Sequence, residues 1–209
     1  YPVVARGREA FGRRACAGFD CLANKGVMMA RIYLPGVPLP VDVYNSHMNA
    51  RGASKVSEKR NLEAHRRQVA MASAFISDTS DGDLALIFGG DFNMRHSEAR
   101  WEGFSQYHPL NLVHKYCMEE PDRCDVKMSW DGDAPWMDTQ DLQFFGDGRK
   151  MRIRPVAVEA MFDRGESGPQ LSDHDGLKVR YEIQWDAELE QEQGAKDVVR
   201  SYCLKQPYR

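Results

Sequence analysis

The chain has 209 residues, of which 42% are hydrophobic and 28% are charged. This composition supplies one hydrophobic core or two small ones, and it excludes global disorder and a miniprotein held only by disulfides. No apolar run approaches the ~20 residues of a membrane-spanning helix, so no transmembrane segment is predicted.

Charge is distributed unevenly along the chain. The net charge is −3, yet residues 1–80 carry 12 Lys and Arg against 6 Asp and Glu. The remainder is therefore acidic. A chain-wide basic footprint for nucleic acid is absent, although the basic opening segment could still attract phosphate locally.

The first half of the chain alternates between strand-like and helix-like patterns. The predicted elements are strands at 26–34 and 41–47, a helix from Ser57 to about Ser77, and a strand at 84–88. Leu62, Val69 and Ile76 recur at heptad spacing, which is typical of the buried stripe of an amphipathic helix.

The second half returns to strands after a polar stretch. The predicted elements are short helices near 97–104 and 109–117, a surface loop over 118–140, and strands at 141–145, 152–162 and 177–183. No linker or repeat divides the sequence, so we expect one mixed α/β domain over residues 1–185. Residues 186–209 are expected to form a C-terminal helical extension packed on that domain.

The cysteines leave the cellular compartment open. Cys16 and Cys21, and likewise Cys117 and Cys124, are close enough in sequence to close small loops, but neither pair has C-x-x-C spacing. Two local disulfides plus the free thiol of Cys203 would suit a periplasmic or secreted protein, towards which we lean slightly. Five reduced cysteines fit the sequence equally well.

Polar residues with catalytic potential follow the predicted strand at 84–88. If the extended backbone continues, Asp91 and Asn93 point to the same side while Phe92 points into the core. A carboxylate and a carboxamide at a strand end can position a phosphate and a cation together. The same Gly-Gly-Asp string is also a common turn.

Three other positions offer groups suited to acid–base chemistry. Asp173 and His174 form a polar loop before the last strand and pair a hard oxygen ligand with a general base. His47 ends the strand at 41–47. Asp141 opens the next strand, and a carboxylate there could orient an imidazole.

In this order, the four elements resemble motifs of the endonuclease/exonuclease/phosphatase superfamily of metal-dependent phosphohydrolases. The matching blocks are Ser46-His47 for Thr/Ser-His, Gly90 to Asn93 for G-D-x-N, Ser172 to His174 for S-D-H, and Asp141 to Phe144 for a D-Y-x-x-like strand in which Leu142 replaces Tyr. The resemblance spans about residues 24–184.

The resemblance implies an α/β fold, a four-layer sandwich of two packed mixed β-sheets flanked by helices. The implied roles are His174 as general base, Asp141 as its orienting partner, Asp91 and Asn93 as aligners of nucleophile and phosphate, His47 as a phosphate contact and Asp173 as a metal ligand. It further implies Mg²⁺ as cofactor, with Mn²⁺ or Ca²⁺ as alternatives, and a phosphate-ester substrate such as a phospholipid head group or nucleic acid.

One departure from the family pattern concerns the start of the chain. The family's early Asn and its metal-binding Glu in a Q-E string have no counterpart before His47, and neither Glu9 nor Glu58 lies in such a string. We therefore expect the opening third of the domain to lie outside this chain, with a separate N-terminal segment or chain completing it. The 209 residues alone are then expected to bind Mg²⁺ weakly and to hydrolyse little.

Three functions follow from these observations. The leading one is a Mg²⁺-dependent phosphodiesterase with a slight tilt towards sphingomyelinase-like substrates, because Asn24 to Val27 is similar to the N-K-G-V segment of that branch. The second is an endonuclease or exonuclease acting on DNA or RNA, which the acidic balance after residue 80 disfavours mildly. The third is a catalytically inactive member of the superfamily that serves in binding.

Overall fold

The computed structural model describes residues 1–95, 97–127, 139–162 and 173–186, and in these the strands form two mixed β-sheets. In chain order the strands are β1 (Val3–Ala10), β2 (Gly26–Ile32), β3 (Val41–His47), β4 (Leu86–Asp91), β5 (Asn111–Leu112), β6 (Asp125–Lys127), β7 (Asp141–Gly146), β8 (Met151–Met161) and β9 (Gly176–Trp185). The first sheet has the order β1-β2-β3-β4-β7-β5 and the second the order β6-β8-β9. The parallel pairs are β3–β4 and β6–β8.

Helices cover the first sheet and one side of the sandwich. They are α1 (Glu58–Thr79), α2 (Glu98–Trp101) and α3 (Val113–Glu119), with 3₁₀ segments at Arg13–Ala15, Gly18–Leu22 and Glu102–Ser105. The heptad residues Val69 and Ile76 of α1 are buried against the first sheet, while Leu62 is half-buried. The amphipathic pattern therefore predicted the correct helix and its buried face.

Two hydrophobic cores separate these layers. One lies between α1 and the first sheet and the other between the two sheets, where Val41, Phe145 and Ile153 are fully buried. Two sheets packed face to face with helices outside confirm the predicted architecture. Outside the second sheet, the described part of the chain shows exposed side chains such as Lys178 and Arg180 rather than a helical layer.

The structure differs from the sequence analysis in two places. The first is β1, a strand that the sequence did not predict: its exposed Arg6 and Arg8 weaken the apolar alternation, although backbone pairing with β2 forms the strand. The second is the loop expected over 118–140, because Asp125–Lys127 pairs in parallel with β8. Residues 128–138 of that loop, and 187–209 of the expected terminal extension, lie outside the described residues.

Both predicted cysteine pairs are disulfide-bonded in the structure. Cys16 joins Cys21 around the 3₁₀ segment Gly18–Leu22, and Cys117 joins Cys124 at the end of α3. The oxidised alternative that the sequence left open is therefore the one observed. Separately, none of the helices in the described residues is both long and apolar enough to cross a membrane.

Strand β4 is held in the centre of the first sheet by aromatic packing. Phe88 is fully buried and meets the rings of Phe92 and Phe104 edge to face, with centroids 4.8 and 5.2 Å away. Such contacts add to the free energy of burial. The strand that carries Asp91 therefore has little freedom to shift.

The two glycines of β4 differ in how closely the neighbouring strand approaches. Gly90 has φ +151°, and a Cβ there would lie 1.9 Å from the carbonyl oxygen of Ser46 on β3. A Cβ at Gly89 would lie 3.3 Å from the side-chain Cγ of Gln143. Only at Gly90 would the Cβ overlap backbone, and that backbone cannot move without separating β3 from β4.

We therefore expect Gly90→Ala to lower the free energy of unfolding by roughly 3 kcal/mol, and Gly89→Ala by less than about 1 kcal/mol. Urea denaturation followed by circular dichroism measures both values. Equal losses for the two variants would contradict this explanation of the Gly-Gly pair.

Candidate active site

Three strands bring polar side chains to one end of the first sheet. His47 at the end of β3 pairs with Asp91 at the end of β4, and Asp91 pairs with Asp141 at the start of β7. Directly paired residues project from the same face of a sheet at close range. The strand register therefore aligns the three residues in a row.

His174 reaches this row from the segment that precedes β9 in the second sheet. Its Nδ1 lies 2.8 Å from Asp141 Oδ2 and 3.9 Å from Asp91 Oδ2. An ionised carboxylate only accepts hydrogen bonds, so Nδ1 carries the proton and donates it to Asp141. The opposite nitrogen, Nε2, is left as an acceptor.

The charges around His174 shift its pKa upwards. Burial alone would lower the pKa of His174, but the negative charges of Asp141 and Asp91 outweigh burial and place it above its usual value. Protonated His174 therefore favours the folded state. This contribution is present below the unfolded pKa of about 6.5 and is lost as pH rises through the higher folded value.

The pKa of Asp141 is also raised, but here burial acts in the direction of the shift. Its burial and the neighbouring charge of Asp91 raise the pKa of Asp141, against the lowering influence of His174. Two carboxylates this close repel one another unless a cation lies nearby. The site is therefore suited to hold positive charge, either as imidazolium or as a bound metal.

Asp91 contacts two of the other predicted residues. Its Oδ1 accepts a hydrogen bond from the backbone N–H of Asn93 at 3.0 Å, and its Oδ2 lies 3.3 Å from His47 Nε2. The His47 side chain is 55% exposed and the Asp91 side chain 19%. His47 therefore lies at the mouth of the site with Asp91 behind it.

The structure corrects the expected direction of Asn93. Its φ is +55°, so the extended backbone ends before it, and its buried side chain donates to the carbonyl of Met48 at 3.4 Å. Asn93 therefore lies behind Asp91 rather than alongside it. Phe92 points into the core, as predicted.

Three of the site residues could hold a metal ion together. Ligand atoms of Asp91, Asp141 and His174 all lie within 4.8 Å of one another. Mg²⁺ is commonly bound by one or two carboxylates plus water, which this donor set can supply. Asp173 is exposed, lies next to His174 and is not a member of this group, so its metal role stays a prediction.

Sequence reasoning missed Gln140, which lies beside His174. Its side-chain Nε2 is 3.3 Å from His174 Nε2, where the amide N–H can donate to the unprotonated ring nitrogen. Its adjacency to Asp141 was the one available signal. Nothing in a Gln residue itself distinguishes this position from an ordinary surface amide.

The N-K-G-V string has structural contacts in this fold. Lys25 Nζ lies 2.7 Å from both Asp20 Oδ2 and the carbonyl of Met48. Val27 is fully buried, and a Cβ at Gly26 would lie 2.1 Å from the carbonyl oxygen of Glu9. These contacts explain the string without reference to a substrate.

No protein-family model and no curated protein matches the chain. Among solved structures it is similar to beta toxin from Staphylococcus aureus (16% identity, TM-score 0.59) and to D. rerio TDP2 complexed with single strand DNA product (14%, 0.57). It is likewise similar to an endonuclease/exonuclease/phosphatase from Beutenbergia cavernae (15%, 0.58). The chain has the endonuclease/exonuclease/phosphatase fold.

The similarity covers most of this chain and part of each compared chain. It includes 86%, 86% and 88% of the present chain, and 65%, 68% and 46% of the beta toxin, TDP2 and Beutenbergia chains. The chain thus spans less than two thirds of the beta toxin's length. A second structure of beta toxin holds bound magnesium ions. The endonuclease/exonuclease/phosphatase fold predicted from the motifs is confirmed.

The electrostatics of the site give a testable pKa change. In metal-free protein we expect Asp141→Asn to lower the pKa of His174, because the substitution removes one negative charge while burial remains. Titration of the His174 ring protons by NMR in EDTA measures the shift. Glu63→Gln, which alters an exposed carboxylate on α1, is the matched control and should leave the titration unchanged. An unchanged His174 pKa in Asp141→Asn would contradict the assigned pairing.

Proposed function

We propose that this protein hydrolyses phosphate esters with the help of a divalent cation, using a water molecule activated by the His174–Asp141 pair. The observation that carries the proposal is the 2.8 Å contact between His174 Nδ1 and Asp141 Oδ2, with Asp91 alongside. A base oriented by a carboxylate, next to a site suited to a cation, is an arrangement that suits attack of water on a phosphate ester.

His174 would act as the general base. Asp141 accepts a hydrogen bond from Nδ1–H, so that Nε2 of the neutral ring is unprotonated and can take a proton from water as the water attacks phosphorus. Gln140 donates to this nitrogen in the free protein, and water would replace that bond. Turnover should therefore rise with pH as His174 loses its second ring proton, because the base must be neutral.

Asp91 and Asp141 would hold the cation. A divalent ion held by these two carboxylates would supply positive charge for the phosphate oxygens and would polarise the ester. Asp173, from the S-D-H block, is proposed as a further ligand. Mg²⁺ is the expected ion, with Mn²⁺ or Ca²⁺ as alternatives, because the acidic side chains offer hard oxygen donors.

The remaining residues would act on the phosphate. His47 is exposed at the mouth of the site and can donate to a phosphate oxygen from Nε2, which otherwise lies 3.3 Å from Asp91. Asn93 would align the attacking water and the phosphate through Asp91, whose Oδ1 its backbone N–H engages. A donor such as His47 Nε2 would stabilise the negative charge that develops on the equatorial phosphate oxygens in the transition state.

The proposed substrate is a phosphodiester, with a slight tilt towards a phospholipid head group. The acidic balance after residue 80 disfavours duplex nucleic acid as the substrate and so supports the phospholipid head group. The N-K-G-V string no longer adds support, since Lys25 is held by Asp20 and Met48. A nuclease is the second candidate, favoured by the similarity to TDP2 in complex with single strand DNA product.

We further propose that another strand completes the second sheet. No strand in the described residues pairs with the outer edge of β9. Its inward side chains, including Val179 and Ile183, remain half-exposed, whereas Ile153 and Val158 on β8 are fully buried. A strand added at this edge would pair with the edge backbone groups of β9 and cover that apolar face.

We also propose a periplasmic or secreted location, because the two disulfides suit an oxidising compartment.

The function is tested with a hydrolysis panel in Mg²⁺ or EDTA. The substrates are sphingomyelin, an inositol polyphosphate, supercoiled DNA, single-stranded RNA and an abasic duplex. We expect metal-dependent turnover that His174→Ala lowers by about 100-fold or more. His108→Ala, a half-exposed histidine on the loop before β5, is the matched control and should retain activity. Turnover unaffected by EDTA, or none on any substrate, would overturn the proposal.

Metal binding by the 209-residue chain alone is a separate test. Two carboxylates with an imidazole bonded to one of them are expected to bind Mg²⁺ only in the millimolar range, because most of the ion's ligands must remain water. Isothermal titration calorimetry measures the affinity, and Asp91→Asn should abolish the signal. Micromolar affinity in the wild-type chain would contradict the need for further ligands.

A further inference from the structure

The segment that follows His47 is buried and held almost wholly by side chains. Met48 and Asn49 are fully buried, yet they belong to a loop without backbone ladder pairing to either side. Their polar groups and those of Ala50 are bonded as follows: Met48 N to Asp91 O (2.9 Å), Met48 O to Lys25 Nζ (2.7 Å), Asn49 N to Gln68 Oε1 (2.9 Å), Asn49 O to His65 Nε2 (2.6 Å), Ala50 N to Asp20 Oδ2 (2.7 Å) and Ala50 O to Asn61 Nδ2 (3.0 Å). Every backbone donor and acceptor of residues 48–50 has a partner.

This segment contacts three of the proposed catalytic residues. It continues directly from His47, its Met48 N–H donates to the backbone carbonyl of Asp91, and its Met48 carbonyl accepts from the side chain of Asn93. A displacement of the segment would therefore move all three at once.

Three of the partners come from one face of α1. Asn61, His65 and Gln68 follow one another at helical spacing and are fully buried or nearly so. The same stripe continues as Ala72 and Ile76, which are apolar and pack in the core. The N-terminal half of α1 thus holds polar groups in its buried stripe where the helix passes the loop at 48–50.

Arg100 on α2 determines which nitrogen of His65 carries the proton. Its guanidinium contacts His65 Nδ1 and Glu58, and donates to Asn61 Oδ1 at 3.0 Å. Arginine has only donors, so His65 Nδ1 must accept and the ring proton must reside on Nε2. In this tautomer Nε2–H donates to the carbonyl of Asn49.

The surroundings keep His65 neutral. Burial lowers the pKa of His65 to about 4, and the positive charges of Arg100 and Arg51 act in the same direction. The backbone bond to Asn49 and the charge of Glu58 oppose this shift only in part. At neutral pH the ring therefore has one donor and one acceptor, and both are used.

We propose that Arg100 and His65 are positioning residues for the catalytic centre: Arg100 selects the tautomer of His65, His65 holds the carbonyl of Asn49, and the loop at 48–50 in turn places His47, Asp91 and Asn93. The effect on turnover rests on the proposed function, whereas the hydrogen-bond chain does not. Misplacement of reacting groups by about 1 Å can cost about 100-fold in rate.

Two substitutions of His65 separate its two bonds. His65→Gln places an amide N–H where ring Nε2 lies and keeps the donor to Asn49, whereas His65→Asn reaches only the Nδ1 position and loses it. We expect His65→Asn to lower kcat by about 10- to 100-fold with little change in KM, and His65→Gln to lower it by less than about threefold. Arg100→Lys should restore part of the kcat that Arg100→Met loses.

Val69→Ala is the matched control, because it removes buried apolar packing from the same helix while the valine side chain makes none of the hydrogen bonds that hold residues 48–50. It should lower the free energy of unfolding and leave kcat unchanged. Turnover is measured on whichever phosphate ester shows His174-dependent hydrolysis. Wild-type kcat in folded His65→Asn, or equal losses in His65→Asn, His65→Gln and Val69→Ala, would overturn the positioning role.

A second measurement does not depend on activity. Long-range ¹H–¹⁵N NMR of the wild-type protein should show His65 protonated at Nε2. The Asn93 side-chain amide signals should shift in His65→Asn and stay near their wild-type position in His65→Gln. Protonation of His65 at Nδ1 in the wild type, or unmoved Asn93 signals in His65→Asn, would overturn the chain of contacts. If no ester is hydrolysed, the proposed function fails while this result still decides the inference.

Discussion

The close parallel pairing of β3 with β4 is the constraint on which the candidate site depends. At Gly90 the neighbouring backbone comes so near that a Cβ would overlap the carbonyl oxygen of Ser46. This approach sets His47 opposite Asp91, and the antiparallel partner β7 sets Asp141 on the other side. The row of side chains is thus a property of strand register. Strand pairing alone places His47, Asp91 and Asp141, whereas His174 is placed by the segment that precedes β9 in the second sheet.

The electrostatics of the site follow from this geometry. Two carboxylates are brought close together and partly buried, which is costly unless positive charge is near. His174 supplies that charge when protonated, and a divalent cation could supply it when His174 is neutral. The same negative charges that favour a bound cation also raise the pKa of His174. The protonated ring of His174 favours the folded state, whereas the proposed general base must be neutral. The two therefore depend on pH in opposite directions.

The two halves of α1 bury different kinds of side chain. Towards its C-terminus the buried stripe is apolar, and Ile76 and Phe75 pack on the first sheet. Towards its N-terminus the stripe is polar, because the loop after His47 has no strand partner and its backbone must be satisfied by side chains. Burying polar groups is favourable only when each is paired, and this network pairs both ring nitrogens of His65. A polar core of this kind fixes position more sharply than apolar packing, since hydrogen bonds are directional.

The sequence by itself determined most of the elements and the residues of the candidate site. The strands predicted at 41–47, 141–145 and 177–183 match β3, β7 and β9 to within a few residues, and heptad spacing predicted α1. The motif order identified His47, Asp91, Asp141 and His174, which the structure brings together. Each of these signals lies within a short stretch of sequence, so it can be read without the tertiary structure. Tertiary structure alone decided the rest. The strand β1, the turn that buries Asn93, the contact of Gln140 with His174, and the tautomer of His65 all depend on groups far apart in the chain. Their partners become neighbours only when sheets and helices pack, and no spacing rule in the sequence records that.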